Sequence, residues 1–132
     1  MRGSIMINVL IIKEEFELAR LWERALVRLG AKVQIARSAQ MAIDHMRQQF
    51  FEIIVLDLDL SQGAAVGVAD FASYRWPDTR VLFVTNGTFF SDGSIFQICA
   101  NACGYVHGAI APDDLAAMAH HYAGQGNTLS LP

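Results

Sequence analysis

A carboxylate stops an unbroken apolar run at Ile53-Ile54-Val55-Leu56-Asp57. A run of that kind suits a strand buried on both faces, as in a parallel sheet covered by helices. Asp57 then stands at the strand's carboxyl end, where open α/β sheets place their ligands and chemistry. Other polar residues end comparable runs. Lys13 and Glu14 follow Asn8–Ile12, and Thr85 follows Arg80–Val84. Such polar strand ends could converge at one edge of the sheet.

These residues meet only if strands and helices alternate, and the chain reads that way throughout. Asn8–Ile12 is an apolar strand. Residues Glu15 to Leu29 carry Phe16, Leu18, Ala19, Leu21, Trp22, Ala25, Leu26 and Leu29 at helical spacing, with Gly30 as the stop. Lys32 to Ala36 alternate as a half-exposed strand with Val33 and Ile35 inward. Ser38 is a good N-cap for a helix carrying Met41, Ala42, His45 and Met46. After the Ile53–Leu56 strand, Ser61-Gln62-Gly63 reads as a loop and Ala64 to Tyr74 as a helix broken at Trp76-Pro77-Asp78. Arg80 to Val84 is a further buried strand, Asn86-Gly87 a turn, and Ser91-Asp92 the cap of a helix through Ala102. Gly104 to His107 is a last strand, and Pro112 with Asp113 and Asp114 opens a final helix to about Tyr122. Five strands alternating with five helices predict an α/β, flavodoxin-like fold. Its parallel sheet has the order 2-1-3-4-5, with helices on both faces. The first and third strands are then neighbours, which puts Lys13, Glu14 and Asp57 at one crevice.

Composition excludes several alternatives. The 132 residues suffice for one domain, and 53% hydrophobic with 17% charged residues argues against disorder. A net charge of −3 gives no footprint for direct nucleic-acid binding. No apolar stretch approaches a membrane span, and no secretory signal is visible. Residues 1–4 read as a tag remnant, 5–123 as the domain and 124–132 as a frayed tail. Cys99 and Cys103, four apart on a predicted helix face, read as small buried hydrophobes of a reduced, cytoplasmic protein. His107 reads as a rim residue, and the adjacent His120 and His121 diverge around a helix rather than pairing on a metal. Without a phosphate loop, a small flavodoxin-like enzyme or nucleotide binder is disfavoured.

The span from about Ile7 to Ala123 resembles the receiver (CheY-like) domain of bacterial two-component response regulators. The resemblance rests on Ile54-Val55-Leu56-Asp57-Leu58-Asp59-Leu60, Leu82-Phe83-Val84-Thr85-Asn86 and Gly104-Tyr105-Val106-His107 taken in order. It implies Asp57 as phosphoacceptor, Thr85 as the hydroxyl switch and Tyr105 as the aromatic switch. It implies Mg2+ on Glu14, Asp57 and the backbone carbonyl of Asp59. It implies a partner surface around Phe89, Phe90 and Phe96. Partners would be a histidine kinase or phosphotransfer protein upstream, and a downstream protein or a second copy of the chain. The only reaction would be self-catalysed phosphoryl acceptance and dephosphorylation.

Two positions depart from that pattern. Lys13 stands where the family carries its first acid, and Gly108-Ala109 stand where it carries a lysine and a proline. Phosphoryl transfer to a carboxylate needs positive charge on the transferring oxygens, most of it from magnesium. Metal binding is therefore expected to be weak or absent. Lys13 either acts as a substitute cation beside Asp57 or points to solvent. Two functions follow: a receiver phosphorylated on Asp57 and signalling through protein contacts, or a phosphorylation-independent pseudo-receiver acting as a protein-binding module.

Overall fold

Every residue of the Ile53–Asp57 strand is buried, as its apolar run demands. A computed structural model describes residues 6–86 and 101–128. Within them the order is β1 (Asn8–Ile12), α1 (Phe16–Arg28), β2 (Lys32–Ala36), α2 (Ala39–Gln48), β3 (Ile53–Asp57), a 3-10 turn (Ser61–Gly63), α3 (Ala64–Arg75), β4 (Arg80–Thr85), β5 (Ala102–His107) and α4 (Pro112–Thr128). All strand pairs are parallel and the sheet order is β2-β1-β3-β4-β5. The predicted flavodoxin-like topology is the observed one.

Alternation along each strand divides the core in two. Leu10, Ile12, Ile54, Leu56, Val81 and Phe83 face α2 and α3, where Ala42, Met46, Val68 and Ala72 cover them. Val9, Ile11, Ile53, Val55, Leu82 and Val84 face α1 and α4, against Ala19, Trp22, Leu26, Leu115 and Ala119. Each fully buried Leu, Ile or Val contributes about 1.5–3 kcal/mol, so the central strands hold the frame that the site stands on.

Local signals set the element ends. The Ser38 hydroxyl accepts the Met41 N–H at 3.2 Å and caps α2. Gly30 takes φ +92° to end α1, a value strained for residues with a side chain. Four readings need correction. Phe16, Leu18 and Leu21 in α1, and Leu29 just past its end, lie exposed while Ala19, Trp22, Ala25 and Leu26 are buried; eight apolar positions are more than one helix face can turn inward. β5 starts at Ala102, two residues early, so Cys103 lies in a strand rather than on a helix face. There its Sγ–H donates to the Val81 carbonyl at 3.4 Å. α4 continues through Gly124 to Thr128, so a frayed tail from residue 124 is too long a tail. A helix glycine costs only about 1 kcal/mol relative to alanine, too little to stop a helix anchored by buried Leu115, Ala119 and Ala123. Residues 1–4, Cys99, the helix predicted from Ser91, and Phe89, Phe90 and Phe96 lie outside the described residues. Among the described residues no helix is long and apolar enough to cross a membrane.

Candidate functional site

The register of β1 and β3 brings Lys13 and Asp57 together. Ile12 pairs with Leu56, so the next residue of each strand emerges side by side at the carboxyl edge. Both ladders run one residue beyond the strands proper. The Lys13 N–H donates to the Ala36 carbonyl at 3.0 Å, and the Leu58 N–H donates to the Val84 carbonyl at 2.8 Å. Ile12 and Leu56 turn toward α2 and α3. Alternation therefore aims Lys13 and Asp57 at the α1 side, where Trp22 is buried.

Asp57 is only 4% exposed and Lys13 only 5%. The Lys13 Nζ–H donates to Asp57 Oδ2 at 3.2 Å. The other Asp57 oxygen, Oδ1, accepts the Asp59 N–H at 2.9 Å. Lys13 Nζ also lies 3.1 Å from Glu15 Oε1 and 5.1 Å from the centre of the Trp22 ring. Burial pulls the Lys13 ammonium downward, but the Asp57 charge and the hydrogen bonds to Glu15 and Asp57 outweigh it, so its pKa is raised. Glu15 is lowered, first by its hydrogen bond from Lys13. The gross attraction of such a pair is about 4 kcal/mol at a surface-like dielectric. Desolvation costs several kcal/mol per ion. The pair therefore holds positions more than it adds net stability.

The other acids are also engaged. Half-buried Glu14 takes two hydrogen bonds from Ser61, from N–H to Oε2 and from Oγ–H to Oε1, both at 2.9 Å. Asp59 Oδ2 accepts the Asn86 N–H at 3.1 Å. Among the described residues no group of three or more Asp, Glu, His or Cys side chains is placed to hold a metal ion together.

The switch candidates sit on the neighbouring strands. Asp57 pairs with Val84, so Thr85 is one residue further along β4. Thr85 is buried, and its carbonyl accepts the Gly108 N–H at 3.1 Å. Tyr105 pairs with Phe83 and packs, half-buried, against the core facing α2 and α3. A Cβ at Gly108 would run into the Asn86 side chain, so Asn86 covers the ground that a longer residue at 108 would need. His107 is exposed at the rim, its Nδ1 accepting the Ala109 N–H at 3.0 Å. Lys13, Glu14, Asp57 and Asp59 thus gather at one edge, with Thr85 beside them and Tyr105 on the other face. Sequence reasoning missed Glu15, Trp22, Ser61 and Asn86. Glu15 was within reach, since it lies two residues from Lys13. In the sequence Ser61 and Asn86 read only as loop and turn residues.

No protein-family model matches the chain, and no curated protein matches it. Solved structures do. The response regulator receiver domain protein (CheY-like) from Methanospirillum hungatei JF-1 aligns with a TM-score of 0.84 at 19% identity, over 94% of this chain and 98% of that one. A response regulator receiver domain protein from Clostridium thermocellum aligns at TM-score 0.80 and 16% identity, over 94% and 99%. The response regulator protein TrrA from Thermotoga maritima, solved in complex with Mg(2+)-BeF, aligns at TM-score 0.76 and 16% identity, over 89% and 99%. At these identities the likeness is one of fold, and the fold is that of response-regulator receiver domains.

Proposed function

We propose that this chain is a receiver-type signal-transduction module that works through protein–protein contacts, with Asp57 serving as a fixed, paired anion rather than as a phosphoryl acceptor. The observation that carries this reading is the buried Lys13–Asp57 pair. Acceptance of a phosphoryl group needs an attacking oxygen held in line and positive charge around the transferring oxygens, most of it from a divalent cation. Here one Asp57 oxygen is bonded to Lys13 and the other to the Asp59 N–H. The magnesium that the fold family implies fits this donor set poorly. Lys13 holds the acid-side position with a positive charge, and Glu14 has both oxygens on Ser61. Magnesium dehydrates reluctantly and demands close oxygen ligands, so a fixed ammonium beside the main carboxylate disfavours it.

On this reading the module catalyses nothing, and its partners are proteins of two-component signalling or a second copy of the chain. The cytoplasm is the compartment that such a role implies. The alternative is the phosphoacceptor reading, with a histidine kinase or phosphotransfer protein as donor. It is favoured by the same lysine, whose charge could serve the transferring group in place of metal. Incubation with a small phosphodonor and magnesium, followed by intact mass, separates the two. An unmodified mass agrees with the proposal, and a stable adduct mapped to Asp57 overturns it.

A further inference from the structure

Glu14 has an occupation that neither metal binding nor the Lys13 pair explains. Both oxygens of its carboxylate end on one residue 47 positions away, on the backbone N–H and the hydroxyl of Ser61. Ser61 opens the 3-10 turn that leads into α3. The first N–H groups of such a segment have no partner within it. Leu60, which precedes the turn, supplies no side-chain bond. An anion is favoured at that end, where the partial charge is positive. Glu14 supplies it from the end of β1, a cap delivered across the sheet edge. The neighbouring acids do similar work. Asp57 Oδ1 holds the Asp59 N–H, and Asp59 Oδ2 holds the Asn86 N–H. Three carboxylates thus fix three backbone donors, at residues 59, 61 and 86, around one edge.

We propose that Glu14 is the positioning residue of the loop between β3 and α3: it clasps Ser61 to the end of β1 and sets the backbone beside Asp57 in one conformation without a cation. This deepens the reading given above, since a carboxylate committed to Ser61 is not serving a metal. A receiver module whose loop is held by its own acids stays in one state and presents one surface to its partner.

Amide hydrogen exchange on the intact chain tests the clasp. In Glu14→Ala the Ser61 amide should exchange about tenfold faster or more, the scale of a lost hydrogen bond to a charged group. The Ile54 and Val55 amides in β3 should hold their rates. Glu14→Gln keeps one oxygen acceptor on a side chain of the same length and should recover part of the protection. An unchanged Ser61 rate in Glu14→Ala overturns the proposal. So does equal acceleration of Ser61, Ile54 and Val55, because a clasp acts locally. Should Glu14→Ala fail to fold, Ser61→Ala removes only the hydroxyl bond; a partial, local loss of protection at residue 61 is then expected, and no loss refutes the clasp. Phosphoryl uptake by Asp57 is read by mass and exchange by amide rates, so either idea can fail without the other.

Discussion

Replacing Lys13 by methionine removes the charge and keeps most of the apolar stem. Asp57 would then stand 4% exposed with the Asp59 N–H as its remaining hydrogen-bond donor among those described above. Removing one partner of a buried ion pair costs about 3–5 kcal/mol. The site lies at the carboxyl edge of the sheet and Asp57 keeps the Asp59 N–H, so the lower end applies, about 3 kcal/mol. Asp57→Asn is the informative control. Lys13 keeps Glu15 at 3.1 Å and the Trp22 face at 5.1 Å, and an amide oxygen can still accept the Asp59 N–H. That variant should lose only about 1 kcal/mol. A domain of this size shifts Tm by about 3–4 °C per kcal/mol, which gives a fall of about 10 °C for Lys13→Met and about 3–4 °C for Asp57→Asn. Thermal and urea unfolding followed by circular dichroism at neutral pH reads both. The pH dependence has a definite sign. The Lys13 pKa is raised in the fold, so its contribution is complete below its ordinary value of about 10.4 and is lost as pH rises through the folded value. The gap between wild type and Lys13→Met should therefore close only at strongly alkaline pH. A Lys13→Met loss below about 1 kcal/mol, or smaller than that of Asp57→Asn, would falsify the asymmetry.

Further outcomes follow from the same contacts. Lys13→Asp should bind magnesium or manganese at least about tenfold more tightly than wild type by calorimetry, because it replaces a repelling charge with an acid; equal affinities would count against Lys13 as the excluding group. Thr79, fully buried, donates its hydroxyl to the Phe51 carbonyl at 2.7 Å. Thr79→Val should cost about 1–3 kcal/mol in urea unfolding by stranding that carbonyl, and a neutral result would mean the carbonyl finds another donor. The Glu15 pKa is lowered by Lys13, so its contribution is present above the ordinary carboxylate value and is lost as pH falls through the lowered one. Glu15→Gln should therefore show a shallower acid limb than wild type in unfolding curves below about pH 4.3; superimposable limbs would remove Glu15 from the network.

The frame of this site was legible because burial and hydrogen bonding leave few choices. β1 and β2 fall on the residues predicted for them, since Val9–Ile12 are continuous apolar positions and Lys32–Ala36 alternate. That Lys13 and Asp57 share one crevice was legible too, since the topology makes their strands neighbours, but whether Lys13 pairs with Asp57 or turns to solvent was settled only by the side-chain packing. The loop bonds were not legible. Glu14 reaching Ser61 and Asp59 reaching the Asn86 N–H depend on turn geometry that no periodicity encodes. Phe16, Leu18 and Leu21 look like core by type, and only the packing of α1 shows which apolar residues turn outward. Cys103 reads as helical in the sequence because Ala102–His107 is only half-buried and lacks the continuous apolar run that marks β3 and β4.

The central claim is that Lys13 and Asp57 neutralise each other and leave no phosphoryl-accepting site. An amide NMR spectrum of the wild-type chain, titrated with magnesium and beryllofluoride as a phosphoryl mimic, tests it most directly. The account predicts that the amides of Asp57, Thr85 and Tyr105 stay where they are, while Lys13→Asp gives saturable shifts at Asp57. Saturable shifts in the wild type at Asp57 and Thr85 would contradict it.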